Sequence, residues 1–154
     1  MELPFFAIRI NTGEENFELQ LTNIDEYTAE TLKWGGVSAK FKIIVDVKGI
    51  HADFQCCLTV GNLYNFYMQL SERHKNLQGS AELKYYSESL TNIIFTFDKS
   101  GHCVICGMVQ NGTYSGNKVG FKIECDQTFI TPVLVSLRTI FTEFAEIQGN
   151  YIFY

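Results

Sequence analysis

Proline is scarce in this chain, with 2 in 154 residues, and no low-complexity or Gly/Ser-rich tract interrupts it. That leaves no room for a flexible linker, so residues 1–154 are expected to form one domain with a sizeable core. Long apolar runs are missing as well. Nothing approaches the roughly 18 continuous apolar residues of a membrane span. The N-terminus MELPFFAIRI carries Glu2 where a signal peptide has basic residues, and Arg9 breaks its apolar stretch. No basic stripe exists, and the net charge is −5, which argues against a nucleic-acid partner. Cysteines number 5, an odd count, with Cys56 and Cys57 adjacent. A disulfide framework does not fit, and reduced thiols in a cytoplasmic protein are the expectation.

Catalytic and metal-binding constellations are equally thin. Cys103-Val104-Ile105-Cys106 is formally C-x-x-C, but on a strand residues i and i+3 point to opposite faces. The pair therefore cannot grip one metal, and a zinc site needs four convergent ligands. The loop Asn111–Lys118, NGTYSGNK, superficially looks like a phosphate loop. It lacks the G-x-x-x-x-G-K-[ST] spacing and precedes a strand, so its amides would not converge on a phosphate. No cofactor is called for. His102 and Cys106 share a strand face, as would Cys125 if its strand pairs alongside, and Asp126 lies near in sequence. An enzyme built on His102, Cys106 and Asp126 stays open as an alternative, although no orienting group or oxyanion donor can be named. Asp126, just before a helix start, reads better as a cap. His74 reads as a packing residue, His51 as a turn residue and His102 as a hairpin end.

What is abundant is aromatic and alternating. The chain has 13 Phe and 8 Tyr, which suit a pleated surface. Phe5–Ile10 and Asn16–Leu21 read as strands joined by turn residues Asn11-Thr12-Gly13. Residues 22–37 show no clear element and read as a loop or short helix. Ala39, Phe41, Ile43, Val45 and Val47 alternate with polar neighbours, then Ala52, Phe54, Cys56 and Leu58 do the same after Gly49: a hairpin. Leu63, Phe66, Tyr67, Leu70, His74 and Leu77 form a helical stripe, with Asn62 the expected N-cap and Gly79 the end. Strands follow around Ala81–Tyr85, Leu90–Asp98, His102–Val109 and Val119–Cys125. The period then switches at Asp126-Gln127-Thr128 to a helix carrying Ile130, Val133, Leu134, Leu137, Ile140, Phe141 and Phe144. Thr131-Pro132 is the expected helix start and Gly149 lies past its end. The fold class is α+β: an antiparallel meander of about eight strands, with two amphipathic helices packed on one face.

Certain segments, taken together, carry a family likeness. Asp25 and Trp34 precede an alternating strand, and Leu63, Phe66 and Leu70 follow on a helix. Next come Gly79-Ser80-Ala81-Glu82-Leu83 and Phe95-x-Phe97-Asp98-x-x-Gly101-His102-x-Val104-x-x-Gly107, then Asp126-Gln127-Thr128 ahead of Leu134, Leu137 and Ile140. This series, over about residues 20–145, resembles the WapI-like family of bacterial immunity proteins. The resemblance implies a non-enzymatic protein that neutralises a cognate toxin domain, with Asp98, His102 and Asp126 as scaffold. Such toxins tend to be basic. Residues 1–40 hold seven acids against three bases, so Glu14, Glu15, Glu18, Asp25, Glu26 and Glu30 are the expected partner-binding set. A small-ligand domain with an aromatic-lined cleft is the other alternative.

Overall fold

Wherever the sequence alternates with period two, the computed structural model forms a strand. The structure describes residues 1–25, 37–85, 91–110 and 116–148. Chain order is β1 (Phe5–Asn11), β2 (Asn16–Ile24), β3 (Ser38–Val47), β4 (Ile50–Thr59), α1 (Val60–Asn76), β5 (Gly79–Tyr85), β6 (Thr91–Phe97), β7 (His102–Gln110), β8 (Lys118–Asp126) and α2 (Ile130–Gln148). Four strands and then one helix occur twice, as the sequence grammar implies.

The strands do not form one continuous meander. They make two antiparallel four-stranded sheets, β1-β2-β3-β4 and β5-β6-β7-β8. The break falls where α1, 17 residues long, carries the chain from β4 to β5, so neither strand pairs with the other. Splitting also relieves the twist that a single wide sheet would accumulate.

Inner faces and helices share one core. Phe17 of β2 stacks on Phe121 of β8 at 5.3 Å between ring centroids, joining the two sheets. Phe66 of α1 packs on Phe95 of β6, also at 5.3 Å. Leu63, Phe66 and Leu70 of α1, with Ile130, Val133, Leu137 and Ile140 of α2, are fully covered within the same cluster. Stacked aromatics of this kind add to the stabilisation from area burial alone. The first hairpin of the sequence reading is present: Val47 pairs with Ile50 across Lys48 (φ 41) and Gly49 (φ 87), the positive-φ pair of a two-residue turn. His51 is not in that turn. It belongs to β4, opposite Asp46 on β3, and its Nδ1 contacts the Asp46 carboxylate.

Both helix starts differ from expectation by a few residues. Thr59, the last residue of β4, is the N-cap of α1, and Asn62 is the third helical residue of a capping box. The Asn62 N–H donates to Thr59 Oγ1 at 3.1 Å, and the Thr59 N–H donates to Asn62 Oδ1 at 3.0 Å. Strand passes into helix without a loop, so the strand must supply the cap. In the second case Asp126 caps a single 3-10 turn, Gln127–Phe129, and α2 follows at Ile130. Pro132 therefore falls inside the first turn of α2 and not at its first position. Thr22–Ile24 extend β2 past a bulge between Leu21 and Asn23, leaving most of the expected 22–37 loop outside the described residues. Gly149 lies outside them as well.

Candidate functional site

Three chain segments meet at the start of α2, and they carry the signatures singled out in the sequence. Asp98 follows β6 directly and organises the turn into β7. Its Oδ1 accepts from the Ser100 N–H at 2.9 Å and the His102 N–H at 3.2 Å, and from the Ser100 hydroxyl. Gly101, at φ +84, closes this turn in a conformation that side chains rarely adopt. Its carbonyl accepts from the Gln127 N–H at 2.8 Å, so the Asp98–His102 turn is stitched to the Asp126-Gln127-Thr128 corner. Asp126 Oδ1 in turn accepts from the Thr128 N–H at 2.8 Å and from the Thr128 hydroxyl. The Gln127 carbonyl lies 3.2 Å from His74 Nε2 of α1, and the His74 ring meets Phe97 edge-on. One corner thus ties β6, β7, β8, α1 and α2 together.

Electrostatics at this corner are those of a capped joint. The Ser100 hydroxyl, then the Ser100 and His102 backbone amides, hold the Asp98 carboxyl below its usual range. The Thr128 hydroxyl and amide do the same for Asp126, and the nearby His102 favours both anions. Carboxylates so engaged are acceptors already in use, which suits turn-building better than proton transfer.

The enzyme alternative requires His102, Cys106 and Asp126 to converge. His102 does sit directly opposite Asp126 in the β7–β8 register. Cys106 lies four residues along β7, about 13 Å away at strand rise, and faces Lys122. Cys125 is not on their face. It pairs with Cys103, and both thiols point into the core, because cross-strand partners share a side of the sheet. The hydrogen bond to Cys125 and then burial push the Cys103 thiol up, and burial beside Cys57 pushes Cys56 up to about 12. Protonated thiols of this kind are core residues. Among the described residues no group of three His, Cys, Asp or Glu side chains is placed to hold a metal ion.

The acidic set is dispersed. Glu14 and Glu15 occupy the β1–β2 turn, with Glu14 exposed and Glu15 half-buried. Asp25 lies beyond the other end of β2, roughly 30 Å away at strand rise. Glu18, midway, is only 8% exposed. Its carboxylate accepts from Gln20 Nε2 at 2.7 Å and pairs with Arg9 Nε at 3.4 Å. Glu26 and Glu30 lie outside the described residues. Closeness in sequence becomes separation in space because a strand is the most extended form of chain. As for a ligand cleft, a recess of about 190 Å³ is lined by Asn62, Asn65, Gln69, Glu82 and Lys84. It is polar, without aromatic walls, and smaller than ordinary ligand sites.

No curated protein matches the chain. Among solved structures, that of trypanosoma bruciei MRP1/MRP2 is similar at 10% identity and a TM-score of 0.44, covering 88% of this chain and 76% of that one. The structure of the plant transcriptional regulator PBF-2 is similar at 11% identity and a TM-score of 0.43, covering 92% and 91%. Likenesses that remote say nothing about the role of this chain. The model of the immunity protein WapI-like family, by contrast, matches residues 7–145, which takes in both sheets, α1 and most of α2. The chain belongs to the immunity protein WapI-like family.

Proposed function

We propose that this protein is a cytoplasmic bacterial immunity protein that binds a cognate toxin domain and holds it inactive by occupying its surface. Family membership over residues 7–145 carries this reading. The capped joint supports it, since the residues most characteristic of the resemblance are engaged in holding strands to helices. Under this reading the toxin is basic and meets the acidic N-terminal set Glu14, Glu15, Glu18, Asp25, Glu26 and Glu30. Glu14 is the exposed member among those described, with Glu15 beside it in the β1–β2 turn and Asp25 half-buried. Glu18 contributes indirectly, through its bond to Arg9.

The test starts from a toxin encoded beside this gene. Co-expression should rescue growth, and the purified pair should form a one-to-one complex. Absence of both protection and complex would sink the proposal. Reversing Glu14 and Glu15 to Lys should slow association several-fold and flatten its salt dependence, because steering charges act on the encounter rate. An unchanged association rate would remove this turn from the interface.

A further inference from the structure

The two edges of the second sheet are treated differently. On the β5 edge, α1 lays two side chains against the outward backbone: Gln69 Oε1 accepts from the Glu82 N–H at 3.1 Å, and Arg73 Nε donates to the Ser80 carbonyl at 3.3 Å. That edge is covered, as exposed edges commonly are. Among the described residues β8 ends the strand order and hydrogen-bonds with β7 alone, and Lys48 of the β3–β4 turn lies near Glu124. The Gln127 N–H bond to the Gly101 carbonyl sets the alternation of the β7–β8 ladder. In an antiparallel pair alternate residues bond inward, so odd-numbered residues of β8 serve β7. The amides and carbonyls of Gly120, Lys122, Glu124 and Asp126 then point outward.

The side chains along that edge are sorted by sign. Lys118 and Lys122 come first, Glu124 and Asp126 last, and all are exposed on the outer face of the sheet. Such a strand is complementary to itself when reversed. We propose that two copies of this chain pair antiparallel along β8, about a two-fold axis at Ile123, joining their second sheets into one of eight strands. In this register Lys122 lies opposite Glu124 of the second copy and Glu124 opposite Lys122 of the second copy, with Gly120 facing Asp126 of the second copy. Every one of these residues has its amide and carbonyl pointing outward, so each opposed pair exchanges both hydrogen bonds, roughly eight in all. Lys122 Nζ already holds Glu124 Oε1 of its own strand at 2.8 Å, so the axis would be ringed by four alternating charges. Parallel pairing would set like charges opposite one another. A uniformly basic strand would meet Lys118 and Lys122 unfavourably and a uniformly acidic one would meet Glu124 and Asp126 so, which leaves the reversed strand of a second copy as the complementary occupant.

Analytical ultracentrifugation of the full chain, from low micromolar to millimolar, is the test. A reversible monomer–dimer equilibrium is expected. Glu124→Lys places lysine against lysine twice and should weaken dimerisation about tenfold. Adding Lys122→Glu restores opposite charges across the axis and should bring affinity back to near the parent value. Lys122→Pro removes an amide that β7 does not use, and should abolish the dimer while far-UV circular dichroism and melting temperature stay near the parent's. A protein monomeric throughout, a dimer indifferent to Glu124→Lys, or one that the charge swap fails to rescue would each overturn the proposal.

Discussion

The two sheets bury similar inner faces and present quite different outer ones. On the first sheet the outer face is occupied by its own charges. Arg9 holds Glu18 and covers the Phe6 ring at 4.7 Å, Lys42 Nζ reaches Asp53 at 2.9 Å, and His51 meets Asp46. On the second sheet the middle of the outer face carries Ile94, Val104, Cys106 and Met108, the last 42% exposed, with Asn92 and Thr96 uncharged among them. Its charges lie at the margins: the Glu82–Lys84 pair on the β5 edge, Lys118, Lys122 and Glu124 on the β8 edge, and the Asp98–Asp126 corner. A face whose charges satisfy one another offers little to a partner. One with an apolar middle and a charged margin has the anatomy of a contact surface. The contrast gives the outer face of the first sheet a part in stability and sets the outer margin of the second, where the copy-to-copy pairing is proposed, apart from the β1–β2 turn proposed to meet the toxin.

The largest effect expected from breaking this picture comes from the inner side. Gly107 faces Phe121 across the β7–β8 ladder, and a Cβ there would lie 2.2 Å from the Phe121 ring carbons. Because that ring also stacks on Phe17, it cannot retreat without separating the two sheets. Gly107→Ala should cost about 3 kcal/mol in urea denaturation. Gly120→Ala, on the outer face with its nearest neighbour at 3.5 Å, should cost well under half of that. Equal losses would mean that the aromatic stack does not hold the sheets together. A smaller effect is expected on the first sheet. Glu18→Ala removes the acceptor of the half-buried Gln20 amide and one ion partner of the largely exposed Arg9, and should cost about 1 kcal/mol. Asp53→Ala breaks a solvent-exposed pair with Lys42 and should cost about 0.5 kcal/mol or less. If the two variants proved equal, the idea that burial turns Glu18 into a structural residue would fail.

Much of this architecture could be read from residue order alone, and the failures share a cause. Strand alternation is a local property of one chain segment. Ala39 to Val47 and the stripe Leu63, Phe66, Leu70 therefore appear in the core as expected. Alternation reports which face is covered and is silent on which strand lies next door. The division into two sheets and the pairing of Cys125 with Cys103 both depend on neighbours, so neither was legible. Thr59 and Asn62 can both cap a helix, Asn the better of the two, and only the point where β4 stops decides which one starts it. The Asp126 cap was legible because a carboxylate one step before a change of period has few other roles. Its meeting with the Asp98 turn was not, since the contact joins segments 26 residues apart through a backbone bond that any residue pair could make. The acidic set was grouped by sequence distance, which an extended strand converts into distance in space.

The smallest expected effect, and the most specific to the second half, is the response of the corner to acid. Asp98 and Asp126 both have carboxyls held below the ordinary range by hydroxyl and amide donors. A folded-state pKa below the unfolded value means that the anion is favoured by folding. The resulting stability is fully present above the unfolded carboxylate pKa, about 4, and is lost as pH falls through the lower folded values. The urea midpoint should therefore hold steady near neutrality and fall as pH drops from about 4 toward 2. An Asp98→Asn, Asp126→Asn double variant keeps an oxygen that can accept from Ser100 and Thr128, so the corner can still form. It loses the charge that strengthens those bonds. Its midpoint should be lower at neutral pH, and its acid limb shallower than the parent's. Limbs of equal steepness would show that the corner is held by geometry alone, and that the acid sensitivity of this fold arises on other carboxylates.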